Sequence, residues 1–393
     1  MESSEYLLIQ PWFSTPGHPA MSLVRTYRAT KSSVNSKVVV YLPKSFNISK
    51  QLDDYVSECN AVKISSSAWQ EYLFGTLATG SWACINHLAQ SRNTGTQSFV
   101  FLLDANLYIL CLALSFFKVD PERLDVLCMV GPEFFQSSYA EKLVKWNLVK
   151  RLFYYKFFRL FLRTPELAES WKEELPDFKH KIDYLPSLEL QDINIEEFKI
   201  YIQKNSCLAA TGDKTERIYL VSGQIRIEKS IEILIKTFAQ LSSFEKLRIF
   251  GAVTDRKVSE IIESHKSRLN IIVRNEFLTE SEMAAEFSNA HYNLLLYNPW
   301  DHRMESAMLF MSLKYNLPVV CFNNGWLGDR VVNEGLGWTI ELNQLSNLKD
   351  FLISLPLPNS NAYKVICSNI SKSLIRYSAM ENTDIFLRKI GWK

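Results

Sequence analysis

The residues of this sequence best suited to chemistry are Gly223, Arg226 and Lys229, which fall close together between an apolar run and an amphipathic one. Before them, Ile218-Tyr-Leu-Val221 has the length and composition of a buried strand. After them, Ile231, Leu234, Ile235, Phe238 and Leu241 recur at helical spacing. A strand that feeds a helix through a glycine turn leaves free N–H groups at the helix start. That start lies on the sheet edge where open α/β folds take their ligands. Two cations beside those groups suit a phosphate or diphosphate. The same residues also suit an ordinary loop with solvated charges, because one glycine and scattered cations are a weak pattern.

A loop of this kind needs a parallel sheet to carry it, and the chain supplies strands alternating with helices. In the first half, strands are expected at 6–12, 37–42, 98–104 and 124–131, and helices at 20–28, 69–90 and 105–117. The loop at 14–19 holds Gly17 and His18, and the strand at 98–104 ends in the carboxylate of Asp104. A segment at 182–187 closes this half, and the polar, aperiodic stretch 188–215 is expected as a linker. The second half predicts strands at 217–222, 246–251, 269–273, 292–297, 318–322 and 337–341. Helices at 257–265, 280–289, 304–315 and 328–333 are expected between them. This alternation implies parallel pairing and doubly wound sheets. The expected domains are 1–187 and 216–375, with a C-terminal helix at 376–393 packing back on the first.

At 393 residues the chain is long for one core, and 47% hydrophobic against 22% charged residues allows two sizeable ones. A formal charge of +2 excludes a general nucleic-acid binder. Seven scattered cysteines without a CxxC pair indicate buried thiols of a reducing compartment rather than disulfides or a zinc site. The start of the chain lacks a basic, apolar leader, and no apolar run has membrane-spanning length, so a cytoplasmic protein is expected. The stretch 139–163 interleaves seven cations with Trp146, Phe153, Tyr154, Tyr155, Phe157 and Phe158. That mixture suits the inner surface of an anionic membrane, and equally a core-packing helix with a basic solvent face.

Taken in order, five segments resemble the family-4 glycosyltransferases of GT-B fold, which use nucleotide-sugar donors. Ser222-Gly-Gln-Ile-Arg-Ile-Glu-Lys229 followed by Ser-Ile-Glu-Ile-Leu234 looks like the family's "GR…EKG…LL" segment, and Leu247-Arg-Ile-Phe-Gly251 like its "LxIxG" strand. Phe277-Leu-Thr-Glu-Ser-Glu-Met283 looks like "GxLSDEEL", Leu317-Pro-Val-Val-Cys-Phe-Asn-Asn-Gly325 like "LPVVATDVGG", and Asn333-Glu-Gly-Leu-Gly-Trp-Thr-Ile340 like "VxDGxxGxLV". The resemblance implies two Rossmann-like domains facing a cleft, with donor binding in the second half. It gives Lys229 the donor diphosphate. Gln224 stands where the family has a second cation, and Arg226 is the available substitute. The nucleobase loop maps to Asn275, Phe277 and Leu278. The family's two glutamates fall on Arg303 and Met311, neither acidic, but Glu305-Ser306-Ala307 looks like a variant in which Ser306 at a helix start meets the diphosphate. Asp301, His302 and Glu305 are then the groups for the sugar hydroxyls.

The same resemblance implies transfer with retained configuration, which needs no dedicated base. No DxD pair stands at an obvious strand end, so neither metal nor cofactor is expected. On the acceptor side, Gly17 permits close backbone approach, His18 suits a sugar or phosphate contact, and Asp104 suits either an acceptor hydroxyl or a helix N-cap. Trp326 to Gly328 is a further candidate cleft lining. Membrane contact through 139–163 would go with a lipid-linked acceptor. Two alternatives stand beside the transferase: a catalytically silent GT-B subunit that scaffolds a partner, and a sugar-nucleotide epimerase.

Overall fold

The computed structural model describes residues 5–9, 18–33, 37–43, 59, 62–64, 76–91, 98–136, 138–139, 142–191, 193, 196, 198, 216–265, 268–276, 278–298, 303–378 and 380–392. The chain divides into two compact units. Unit 1 comprises 1–191 with 380–393, and unit 2 comprises 192–379.

The strands of unit 1 are β1 (Glu5–Ile9), β2 (Lys37–Pro43), β3 (Val62–Ile64), β4 (Ser98–Leu103), β5 (Arg123–Cys128), β6 (Phe158–Leu162) and β7 (Ile182–Tyr184). They form a seven-stranded sheet in the order β3-β2-β1-β4-β5-β6-β7, with every pairing parallel. Val100 to Leu103 of β4 are all buried, as a central parallel strand covered on both faces requires. The helices are α1 (His18–Ser33), α2 (Thr76–Ser91), α3 (Leu107–Phe117), α4 (Asn147–Leu152), led by a wide π-turn at Lys142–Trp146, and α5 (Pro165–Glu174). Helix α1 outruns the expected 20–28. The Thr26 and Thr30 hydroxyls donate back to the Ser22 and Thr26 carbonyls at 2.7 and 2.9 Å, so polar residues remain inside a buried helix.

In unit 2, β8 (Arg217–Ser222), β9 (Glu245–Phe250), β10 (Ile271–Arg274), β11 (Tyr292–Leu295), β12 (Val319–Phe322) and β13 (Gly337–Ile340) form a six-stranded parallel sheet. Its order is β10-β9-β8-β11-β12-β13. Around it lie α6 (Ile231–Phe238), α7 (Arg256–His265), α8 (Glu280–Asn289), α9 (Ala307–Lys314), α10 (Gly325–Glu334), α11 (Leu348–Ser354) and α12 (Asn361–Ser378). Helix α8 starts where Thr279 and Glu282 form a reciprocal capping box. The strand order reverses between β1 and β4 in unit 1 and between β8 and β11 in unit 2, and crevices of doubly wound sheets open at such reversals.

The last helix, α13 (Met380–Ile390), belongs to unit 1. Phe386, Leu387, Ile390 and Trp392 join the core that holds Leu8, Leu23, Val24 and Phe101. Gly391 takes a left-handed φ of 62°, and the N–H of Trp392 returns to the Leu387 carbonyl at 2.9 Å. This reversal puts the Trp392 ring 4.8 Å from that of Tyr6.

Candidate functional site

The loop after β8 is built around two glycines. Gly223 has φ +85° and Gly251, after β9, has φ +142°, and a Cβ on Gly251 would overlap the Gly223 carbonyl. Two main chains therefore touch at this edge of the sheet. The contact continues as Ile225 donates to the Ala252 carbonyl at 2.9 Å and Thr254 to the Ile225 carbonyl at 3.3 Å. A Cβ on Gly223 would come within 3.3 Å of Lys229 Nζ and 3.2 Å of Met308 Sδ, so this glycine also keeps the Lys229 ammonium clear.

Lys229 is 8% exposed and donates to the Ser222 carbonyl. Burial, helped by the neighbouring charge of Arg226 and opposed by Glu228, lowers its pKa to about 7. Arg226 is paired with Glu228 at 2.6 Å. Gln224 is exposed and reaches Thr254 Oγ1 at 3.4 Å, away from Lys229. The loop then ends on Ser230, where the resembled family has glycine. Its φ of 54° is the left-handed conformation that the glycine would take without strain. The hydroxyls of Ser222 and Ser230, both buried, make no hydrogen bond among the described residues.

Across the sheet reversal stands the start of α9. Ser306 is extended, 4% exposed, and occupies the N-cap position without capping the helix through its side chain. Its hydroxyl lies 3.3 Å from that of Tyr297, a residue just beyond β11. Burial pushes the Tyr297 phenol up to about 12, with Ser306 pulling the other way. The N–H of Asn298 donates to the Glu228 carbonyl at 2.6 Å, which ties this segment to the Lys229 loop. Gly223 and Lys229 thus meet Met308 of α9, and Ser306, which opens that helix just before Ala307, meets Tyr297. Tyr297 closes an apolar run, and nothing in its sequence context separates it from the core aromatics. Met308 lies at a helix start, and its contact with Gly223 depends on sheet order.

Asn275 is exposed and accepts from the Val253 N–H at 2.8 Å, and Leu278 packs beside the apolar cluster of Ile218, Leu220 and Phe250. Met311, at the second glutamate position, packs on that same cluster, so no polar group reaches a ligand from there. Glu305 is half-buried next to Ser306. Trp326 and Leu327 are buried, with the Trp326 ring 6.2 Å from Phe310, so this segment is core instead of a cleft lining. Gly17, Phe277, Asp301, His302 and the side chain of His18 lie outside the described residues.

In unit 1, Asp104 follows β4 at the sheet reversal, 6% exposed and left-handed at φ 59°. It is not the helix cap: Asn106 caps α3 by accepting from the Ile109 N–H at 3.3 Å. The seven-cation stretch divides into two parts. Trp146, Phe153 and Phe158 are buried, with the Trp146 and Phe153 rings tilted against Trp171 at 5.6 and 6.3 Å, whereas Tyr139, Leu143, Val144 and Tyr154 are exposed. Among the described residues, no helix is long and apolar enough to cross a membrane.

No family model matches the sequence, and a comparison with curated proteins gives no match. Solved structures do match. WaaG, a glycosyltransferase involved in lipopolysaccharide biosynthesis, superposes with a TM-score of 0.64 at 14% identity over 98% of both chains. HepE from Anabaena, in complex with UDP and glucose, gives 0.64 at 12% identity over 98% of both chains. A UDP-forming trehalose-phosphate synthase from Burkholderia xenovorans gives 0.64 at 11% identity over 99% of both. Identities this low carry architecture alone, and the architecture they carry is that of the two parallel sheets described above: the chain has the GT-B fold.

Proposed function

We propose that this chain is a glycosyltransferase that moves a sugar from a nucleotide-sugar donor to a saccharide or lipid-linked saccharide acceptor, without a metal and with retention of configuration. The observation that carries this reading is the meeting of Lys229, the Gly223 loop and the Ser306 start of α9 at the reversal of the second sheet. A departing diphosphate needs positive potential already in place, because charge fixed beforehand requires no reorganisation as the bond breaks. Lys229 supplies an ammonium at that point, and the first amides of α9 supply the positive end of a helix dipole. Arg226 is close, held by Glu228. By the resemblance, Glu305, Asp301 and His302 are assigned to the sugar hydroxyls and Asp104 to the acceptor hydroxyl. HepE, solved with UDP-glucose, supports a UDP-sugar as the first donor to test. Residues 139–163 contact a membrane surface in this reading, which accounts for the lipid-linked acceptor.

The test is calorimetric binding and transfer with a panel of nucleotide sugars, comparing wild type with Lys229→Ala. We expect one donor to bind and Lys229→Ala to weaken it by about tenfold or more, the scale of a lost charge-assisted contact. If no nucleotide sugar binds at millimolar concentration, the transferase reading fails and a silent GT-B subunit takes its place. Donor binding with neither hydrolysis nor transfer to any acceptor would likewise favour the silent subunit.

A further inference from the structure

Two arginines of unit 1 leave the same strand and meet different surroundings. Arg159, within β6, donates to the buried Asp125 carboxylate at 2.8 and 2.7 Å, a two-pronged pair that accounts for its charge. Arg163 follows β6 at its carboxyl end and is half-buried. Among the described residues it has no carboxylate partner: Nη2 donates to the Ser22 hydroxyl at 2.9 Å, and Nε is buried without a hydrogen bond. A guanidinium carries five donors, so most of this one is left to use. Withdrawing a cation from water without an opposite charge is unfavourable, which makes the position one that an incoming anion would stabilise.

Its neighbours leave that charge uncompensated. Ser22 lies in the second turn of α1 and is 5% exposed, a buried anchor for the guanidinium. The Ser22 oxygen accepts from Arg163, so its own proton remains to be donated. Arg25, one turn further along α1, is paired with Glu189, and that carboxylate is thereby occupied. Phe161, two residues before Arg163, packs with Leu23 and Val24 of α1, and strand alternation turns Arg163 to the same face.

Position in the sheet narrows the ligand. Leu103, Leu127 and Phe161 stand in one row across β4, β5 and β6, so Asp104 and Arg163 leave the carboxyl edge one and two residues beyond it. The two positions are two strands apart, about 10 Å at the usual strand spacing. A sugar ring whose hydroxyl meets Asp104 is of the right size to carry a substituent toward Arg163. A phosphate fits there: the guanidinium fork matches two of its oxygens, and the Ser22 hydroxyl can donate to a third.

We propose that Arg163 and Ser22 form an anion subsite of unit 1 that holds the phosphate of a phosphorylated sugar acceptor. The inference rests on the glycosyltransferase reading for calling that sugar an acceptor, while the subsite itself is separate from the donor loop of unit 2.

The test is calorimetric titration of the full chain with glucose 1-phosphate, glucose 6-phosphate, mannose 6-phosphate, glucose and inorganic phosphate. Wild type is compared with Arg163→Lys, Arg163→Met and Ser22→Ala, with circular dichroism and melting temperature as the folding control. We expect at least one sugar phosphate to bind wild type at millimolar concentration or below, more tightly than inorganic phosphate, and glucose not to bind. Arg163→Met should lose about tenfold or more, the scale of a charge-assisted contact, and Ser22→Ala a few-fold. Arg163→Lys should keep part of the affinity, because an ammonium retains the charge without the fork. Ser22→Ala removes one small hydroxyl and tests the subsite even where Arg163→Met does not fold. If no sugar phosphate binds wild type, or if the folded variants bind as well as wild type, the inference is overturned. Displacement by UDP would place the phosphate in the donor site of unit 2 and overturn it too. Inorganic phosphate binding as tightly as the sugar phosphates overturns the choice of a sugar ligand. A chain that binds sugar phosphate through Arg163 yet no nucleotide sugar loses the glycosyltransferase reading and keeps this subsite.

Discussion

Lys229 is the residue on which the proposed donor site turns, and its environment makes it sensitive to pH. The ordinary lysine value is 10.5, and burial lowers this one to about 7. An incoming diphosphate favours the charged form, so binding takes up a proton once the free side chain is neutral. Affinity for a nucleotide sugar, whose diphosphate does not titrate in this range, is therefore expected to be flat below pH 6. It should fall by up to about tenfold per pH unit above 7, the limit for a single proton taken up. Calorimetry of UDP-glucose or the best donor from pH 6 to 9 measures this, and Lys229→Met should remove the slope. Stability carries the opposite sign. The unfolded chain binds more protons than the folded one between about pH 7 and 10, so this group makes unit 2 more stable as pH rises through that window. Ser230 offers a second test. Its left-handed backbone and buried hydroxyl, unbonded among the described residues, both cost stability, and Ser230→Gly removes both. We expect unit 2 to gain about 1 kcal/mol in a urea titration, the usual size of left-handed strain relieved by glycine.

At the scale of elements, the site is made by the ends of three segments that meet only because the sheet reverses between β8 and β11. The loop of β8 contributes Gly223 and Lys229, the end of β11 contributes Tyr297, and the start of α9 contributes Ser306 and Met308. The Tyr297 hydroxyl links β11 to Ser306 by a polar contact, so it acts as a positioning residue. Tyr297→Phe should weaken donor affinity by a few-fold, about the worth of one neutral hydrogen bond, and leave the melting temperature within a few degrees. A loss as large as that of Lys229→Ala would instead mean that the phenol itself contacts the donor. These elements differ in how well the sequence reveals them. The β8–α6 junction is visible because apolar period changes from strand to helix at a glycine. The start of α9 is not, since Ser306 lacks the glutamate pair that marks this helix in the resembled family, and its partner Tyr297 looks like any apolar strand residue.

At the scale of the molecule, each unit has its own core, and the first is completed by the far end of the chain. Trp392 is 3% exposed against Tyr6 and Phe101, and Lys389 bonds Asp183 at 3.0 Å and the Tyr184 carbonyl at 2.8 Å. Trp392→Ala is expected to destabilise unit 1 by about 3 kcal/mol, the lower end for truncating a buried aromatic. Denaturation followed separately for the two units should show the shift in unit 1 alone. A loss confined to unit 2 would contradict the place of α13 in the first core.

The sequence dictates a grammar on its own: apolar runs of strand length alternating with amphipathic helices, which force parallel sheets, and a glycine turn with Lys229 at one strand's carboxyl end. These follow from local spacing, because side-chain period and turn chemistry act over a few residues. Which strand ends became neighbours was settled only in the folded chain. Folding drew Tyr297 and Met308 to Lys229, turned Gln224 toward Thr254, paired Arg226 with Glu228, and buried Trp326. It also sorted the aromatics of 139–163 into core and surface. Those outcomes depend on strand order and helix packing, which join residues far apart in the chain and leave no periodic trace in it. The Gly223–Lys229 loop was legible for the converse reason, since its chemistry is contained in one strand, one turn and one helix.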